Sequence, residues 1–145
     1  MKIYLASSWR NPGQPAAVLA LRAAGHEVYD FRNPRVDDHG FAWARIDPAW
    51  EEWSADRFRA ALAHPVAVRG YGFDRAAMEW ADACVLLLPC GCDAHLEFGW
   101  CAGAGKLTIA LLADPPSPGL MLKVADHLCV SMAEVLSVLA LGVSR

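Results

Sequence analysis

The sequence has no block of basic residues. Its 13 Lys and Arg are spread as isolated pairs at most, and the net charge is −3. A nucleic-acid polymer is gripped by clustered cations that displace its counterions, so no such partner is expected. Long apolar runs are missing too. The longest strongly apolar stretch is Ala83 to Leu88, far short of the roughly 20 residues of a membrane-spanning helix. The opening residues MKIYLASSWRN lack the apolar core and small-residue cleavage site of an export signal. No G-x-G-x-x-G and no P-loop occurs, so the dinucleotide and triphosphate fingerprints are absent. The five cysteines are an odd count without an export signal. They are expected as reduced thiols in a cytoplasmic protein, not as a disulfide framework. No repeat, linker or low-complexity tract interrupts the chain.

What is present is a chain of 145 residues, 55% apolar, expected as one domain over residues 1–145 with a proper core. Strands are expected at Lys2–Ala6, Glu27–Phe31, Ala83–Leu88, Thr108–Leu112 and Leu128–Val130. Helices are expected at Gln14–Ala24, ended by Gly25, at Ser54 to about Ala63, at about Tyr71–Trp80, at Asp93–Ala104, and from Ser131 to about Leu141. Arg32 to about Pro48 is expected as a long loop, of the kind that often forms lids, and Asp114–Gly119 as a Pro-rich turn. Strands alternating with helices give an α/β fold, a parallel sheet covered on both faces. The simplest order of five strands is 2-1-3-4-5. Its ligand crevice lies between the carboxyl ends of strands one and three, which sets the Ser7–Asn11 turn beside the Cys90–Glu97 turn.

The segment Cys84 to Lys106, CVLLLPCGCDAHLEFGWCAGAGK, runs from an apolar strand through a turn into a helix start. Glu97 is the carboxylate of that helix. It is either a first-turn residue favouring the helix dipole or a nucleophile. A capping box would need Ser or Thr three residues earlier, and Ala94 stands there. A carboxylate suits attack on an anomeric carbon, because an anion stabilises developing oxocarbenium character. Asp74 is expected to start its helix, either as an N-cap or as an acid facing the crevice. Asp82 precedes the third strand at the far end and is expected to be a turn residue. Two carboxylates in one crevice would separate in pKa, which suits one acid and one nucleophile.

Ser7, Ser8, Trp9, Arg10 and Asn11 follow the first strand. Two hydroxyls and a guanidinium before a helix could cradle phosphate, or could be ordinary turn chemistry. Cys90-x-Cys92-x2-His95, with Cys101, does not have the usual spacing of a zinc site, and no metal is expected. Tyr4 lies inside the first strand. Phe41, Trp43, Trp50 and Trp53 are core aromatics or stacking surfaces for a planar ligand.

Tyr4 with Arg10 six residues on, Asp74 with Asp82 eight residues on, and AHLEFGWCAGAGK together resemble the nucleoside 2-deoxyribosyltransferase superfamily. The likeness spans nearly the whole chain. It is nearer to the branch of 2′-deoxynucleoside 5′-phosphate N-hydrolases and cytidylate N-glycosidases. The resemblance implies a flavodoxin-like (Rossmann-like) three-layer sandwich. It implies cleavage or exchange of the N-glycosidic bond of a nucleoside or its 5′-monophosphate, without a cofactor. By the same resemblance Glu97 would attack C1′, Asp74 would protonate or orient the leaving base, and Tyr4 would hold Glu97 or the sugar. Ser7, Ser8, Arg10 and the Gly91 backbone would meet a 5′-phosphate. It also implies a homodimer with shared active sites, Met121 lying where a protomer lends residues to its partner. Asp93 departs from the pattern, as an extra anion at the phosphate corner. The long aromatic loop with Phe41 and Trp43 is a second departure and would define a different base pocket. An NAD-cleaving hydrolase of related fold and a non-catalytic nucleotide-binding module are the alternatives.

Overall fold

The computed structural model describes residues 1–116 and 119–142. Ser117 and Pro118 of the Pro-rich turn lie outside the described residues. The chain divides into two compact units, Met1–Asp30 with the chain from Trp80 onward, and Phe31–Glu79.

The first unit holds a five-stranded sheet in the order β2-β1-β3-β4-β5, all neighbours parallel. The strands are β1 Lys2–Ala6, β2 Glu27–Tyr29, β3 Ala83–Leu87, β4 Leu107–Leu111 and β5 His127–Cys129. Its helices are α1 Gln14–Ala23, α4 Cys92–Gly103 and α5 Met132–Gly142. The expected order is the one found. Gly25 ends α1 at φ 85°, a conformation open to glycine at no steric cost. Ser131 and Glu134 cap α5: Ser131 Oγ accepts from the Glu134 N–H at 3.3 Å, and Glu134 Oε2 accepts from the Val130 N–H at 2.8 Å.

Strand residues alternate between faces. On one face Ile3, Leu5, Val85, Leu87, Ile109 and Leu111 pack with Ala17, Val18 and Leu21 of α1 and with Val135 and Leu139 of α5. On the other, register puts Tyr29, Tyr4, Cys84 and Thr108 side by side across four strands. α4 lies against β1, β3 and β4, and its buried stripe is Ala94, Phe98 and Cys101. The amino end of the sheet is tied by backbone and side chain. Asp82 accepts from the Lys2 N–H at 2.9 Å, which makes it the turn residue expected. No helix among the described residues is long and apolar enough to cross a membrane.

The second unit holds α2 Ala55–Ala61 and α3 Pro65–Trp80, the latter running into the first residue of the sheet unit. Ser54 caps α2 by accepting from the Arg57 N–H at 3.2 Å. The segment expected as an open loop is built around rings. Trp43 meets Phe41, Trp53 and Phe58 edge-to-face, with centroids 4.7, 5.7 and 5.6 Å apart. Trp53 Nε1 donates to Asp47 at 2.7 Å. That bond, ahead of the Ala49 N–H and the Arg57 charge, holds the Asp47 carboxyl below its usual range.

Candidate active site

The turns leaving β1 and β3 are joined at the carboxyl end of the sheet. Ser7 Oγ donates to the Leu87 carbonyl at 3.0 Å. The Asn11 amide donates to the carbonyls of Leu87 and Pro89 at 3.4 and 3.1 Å, and its own oxygen accepts from the Gly13 N–H at 2.9 Å. Asn11 is thus the staple of the crevice, a role the sequence analysis did not give it. The signal was the Asn-Pro-Gly run before a helix, because Asn in that setting bonds to backbone two residues on. The staple occupies part of the proposed phosphate cradle. Ser7 directs its hydroxyl proton at Leu87, and Ser8 Oγ accepts from the Arg10 N–H at 3.1 Å. Arg10 itself is exposed.

α4 begins one residue earlier than expected, and with either start Glu97 lies beyond the first turn. Gly91 is the N-cap, in extended conformation and without a side-chain cap bond. Asp93 therefore takes the first-turn position, and Glu97 sits in the second turn. The helix-dipole reading passes to Asp93, which is exposed. Glu97 is half-buried, at the edge of the Ala94–Phe98–Cys101 stripe. Helical side chains lean toward the N-terminus, which directs Glu97 toward the start of α4. Its negative charge raises the pKa of two thiols. Cys84 on β3 is held well above the usual thiol value by its hydrogen bond with Cys101, then by burial, with Glu97 adding to both. Cys90 is pushed up to about 11, by burial first and then by Glu97. Lys106 acts the other way on Cys84 and, with the Cys84 bond, lowers Cys101.

The cysteines considered as metal ligands turn to different partners. Cys101 pairs with Cys84, Cys90 Sγ lies 3.5 Å from His95 Nδ1, and Cys92 donates to Asp93 at 3.8 Å. Tyr4 is buried, stacks on Tyr29 with centroids 5.4 Å apart, and is the register neighbour of Cys84. Within the sheet unit, then, Tyr4, Ser7, Ser8, Arg10, Gly91, Asp93 and Glu97 are carried by β1, β3, α4 and the turns between them. Met121 is on a separate 3-10 turn, Leu120–Val124, and is 79% exposed.

Asp74, Phe41 and Trp43 belong to the second unit. Asp74 is half-buried and lies within α3, not at its start, because the helix opens at Pro65. Its neighbour Phe73 carries Arg35 and Arg69, at 4.4 and 5.3 Å from the ring centroid. Phe41 and Trp43, expected as core aromatics or as stacking surfaces, form that unit's aromatic centre.

No family model matches the chain, and no curated protein matches it in sequence. Solved structures do. The 2-deoxyribosyltransferase of the psychrotolerant bacterium Bacillus psychrosaccharolyticus superposes with a TM-score of 0.62 at 20% identity, over 94% of this chain and 90% of its own. The CMP N-glycosidase BcmB of Clostridium botulinum superposes with a TM-score of 0.53 at 19% identity, over 97% of this chain and 98% of its own. The chain has the flavodoxin-like α/β fold that these two proteins share.

Proposed function

We propose that the protein cleaves or exchanges the N-glycosidic bond of a nucleoside or nucleoside 5′-monophosphate. The observation that carries this reading is Glu97. It is a half-buried carboxylate in the second turn of α4 whose charge acts on Cys84 of β3 and on Cys90 in the turn after it, on a fold shared with a deoxyribosyltransferase and a CMP N-glycosidase. A Glu97 oxygen attacks C1′ as the C1′–N bond breaks, and the base leaves with the bonding pair. The leaving base takes a proton, a role the resemblance gives to Asp74. Water, or a second base, then attacks C1′ of the glycosyl ester and frees the carboxylate. Two displacements at one carbon retain configuration. The resemblance gives Tyr4 the task of holding Glu97 or the sugar, and no metal or organic cofactor enters the reaction.

Arg10 and the uncapped start of α4 at Gly91 are the groups suited to a 5′-phosphate, with Asp93 opposing them. A homodimer is part of the same reading. Leu120, Met121, Val124, Leu128 and Val130 form exposed apolar surface around the edge strand β5, the kind of patch an interface covers. Five free thiols suit a cytoplasmic setting.

The test is a panel of ribo- and deoxyribonucleosides, their 5′-monophosphates and NAD, each with and without an acceptor base. Free and exchanged base is measured by chromatography. Base release that leaves a mass adduct on the Glu97 peptide supports the reading. Nicotinamide release alone would move it to the NAD-cleaving alternative, and binding without any release to a nucleotide-binding module.

A further inference from the structure

The β1–β3 ladder ends with Ala6 opposite Leu86. Beyond it the two chains part into the turns that wall the crevice, and side chains take over from the ladder. The Leu87 carbonyl accepts from Ser7 Oγ at 3.0 Å, and the Asn11 amide donates to the Leu87 and Pro89 carbonyls at 3.4 and 3.1 Å. Pro89 has no N–H of its own, so its carbonyl is the backbone group by which that residue can be tied. It stands two residues before Gly91, the N-cap of α4. On its other side the turn is held at Leu88, whose N–H donates to the Leu111 carbonyl at 3.1 Å.

The Asn11 amide can sit only one way round. Carbonyls accept and an N–H donates, so Nδ2 faces Leu87 and Pro89 while Oδ1 takes the Gly13 N–H at 2.9 Å. Asn11 is 5% exposed, so these bonds are sheltered from water. Gly13 keeps room for the amide, because a Cβ there would stand 3.2 Å from Asn11 Oδ1.

We propose that Asn11 is a positioning residue for base release: its two N–H bonds set the start of α4, and with it Glu97, against the β1 turn. This rests on Glu97 being the nucleophile. Displacement at C1′ needs the attacking oxygen close and in line, and a shift of about 1 Å can cost on the order of 100-fold. The β1 turn has its own backbone closure, from the Asn11 N–H to the Ser8 carbonyl at 3.0 Å, which no side-chain change removes. Loss of the amide therefore falls on kcat more than on KM, and equally on a nucleoside and its monophosphate.

Asn11→Asp separates the two ends of the amide. It keeps an oxygen for the Gly13 N–H and has no proton for the two carbonyls, whereas Asn11→Ala removes both ends. Asn11→Ser is the uncharged counterpart should Asp fail to fold: its oxygen can take the turn N–H, and its single proton cannot serve two carbonyls. The first measurement needs no substrate. Amide hydrogen exchange is followed by mass spectrometry, and the expected result is faster exchange over residues 91–97 in all three variants, with α5 unchanged. Exchange no faster than wild type at the start of α4 in a folded Asp or Ser variant overturns the proposal.

The second measurement is kcat and KM for base release, per folded protein. The positioning role predicts kcat lower by about 10- to 100-fold in Asp and Ser as well as Ala, with KM within about 2-fold, on nucleoside and monophosphate alike. A role confined to the turn predicts Asp and Ser close to wild type and Ala poorer only in its folded fraction, and that result overturns the proposal. Wild-type protein that releases no base from any substrate overturns the reading of Glu97 and this one with it. Wild-type turnover with kcat unmoved in the folded Asp or Ser variant overturns this one alone.

Discussion

On one face of the sheet Ile3, Leu5, Val85, Leu87, Ile109 and Leu111 meet α1 and α5, and apart from Cys129 every buried group in that cluster is aliphatic. On the other face Tyr4, Cys84 and Thr108 stand in a row, with α4 packed over the sheet. The same strands supply both sets by alternation alone. The aliphatic face needs only volume and close packing. The polar face has groups that would be costly to bury without partners, and it gives them some: Cys101 for Cys84, Asp126 for Thr108. Only the second face has Glu97 at its margin. Under the proposed function, stability and chemistry fall on opposite sides of one sheet, and substitutions should separate them.

The largest expected effect is on the polar side. Glu97→Gln keeps the carboxamide in the same half-buried place but cannot form the glycosyl ester. Base release should fall by about 1,000-fold or more, roughly 4 kcal/mol at 1.36 kcal/mol per tenfold. The thermal midpoint should stay within a degree or two of wild type. Rates within a few-fold of wild type would remove Glu97 from the nucleophile's place.

Next comes the aliphatic side. Leu139 of α5 is fully buried in the cluster. Leu139→Ala should cost about 3 kcal/mol of unfolding free energy in a denaturant titration, the cost of lost burial plus a residual cavity. The kcat of the folded fraction should be unchanged. A fall in kcat to match would mean that the two faces are mechanically coupled.

The division between faces was legible in the sequence because period-2 alternation is local. Tyr4 and Cys84 fall on the opposite parity from Ile3 and Val85, and the strand order followed from the alternation of elements. The caps at Ser54 and Ser131 and the glycine stop at Gly25 were legible for the same reason. The start of α3 was not. The helix was expected from about Tyr71, with Asp74 at its start. The helix instead opens at Pro65, and Gly70 is set by packing. A Cβ there would stand 3.0 Å from atoms of the Phe41 ring. Contacts between residues far apart in sequence were equally hidden. Nothing in the spacing of Cys84 and Cys101 says that a strand thiol meets a helix thiol. The ring cluster around Trp43 likewise has no period that would distinguish it from a loop.

A smaller effect is expected at the crevice mouth. Arg10→Ala should lower kcat/KM for a 5′-monophosphate by roughly 10- to 100-fold and leave the free nucleoside nearly unchanged, as a charge-assisted contact to phosphate predicts. Equal losses on both substrates would make Arg10 structural, like its neighbour Asn11. Asp93→Asn sharpens the test, because removing the opposing anion should raise the preference for monophosphate.

The smallest effect probes how far the chemistry extends along the polar row. Thr108 shares that row with Tyr4 and Cys84, yet its hydroxyl and its N–H turn to one residue. Its hydroxyl donates to Asp126 Oδ2 at 2.9 Å and accepts from the Asp126 N–H at 3.1 Å, and its own N–H donates to the same carboxylate at 2.8 Å. That exchange ties β4 to the chain just before β5. Thr108→Val keeps the shape and the backbone bond but deletes both hydroxyl bonds. Unfolding free energy should drop by about 1 kcal/mol, and base release at 25 °C should be unchanged. Polarity on this face would then have two separate reasons, strand linkage at Thr108 and catalysis near Tyr4 and Glu97. A loss of activity beyond a few-fold in the folded variant would instead make the whole row part of the site.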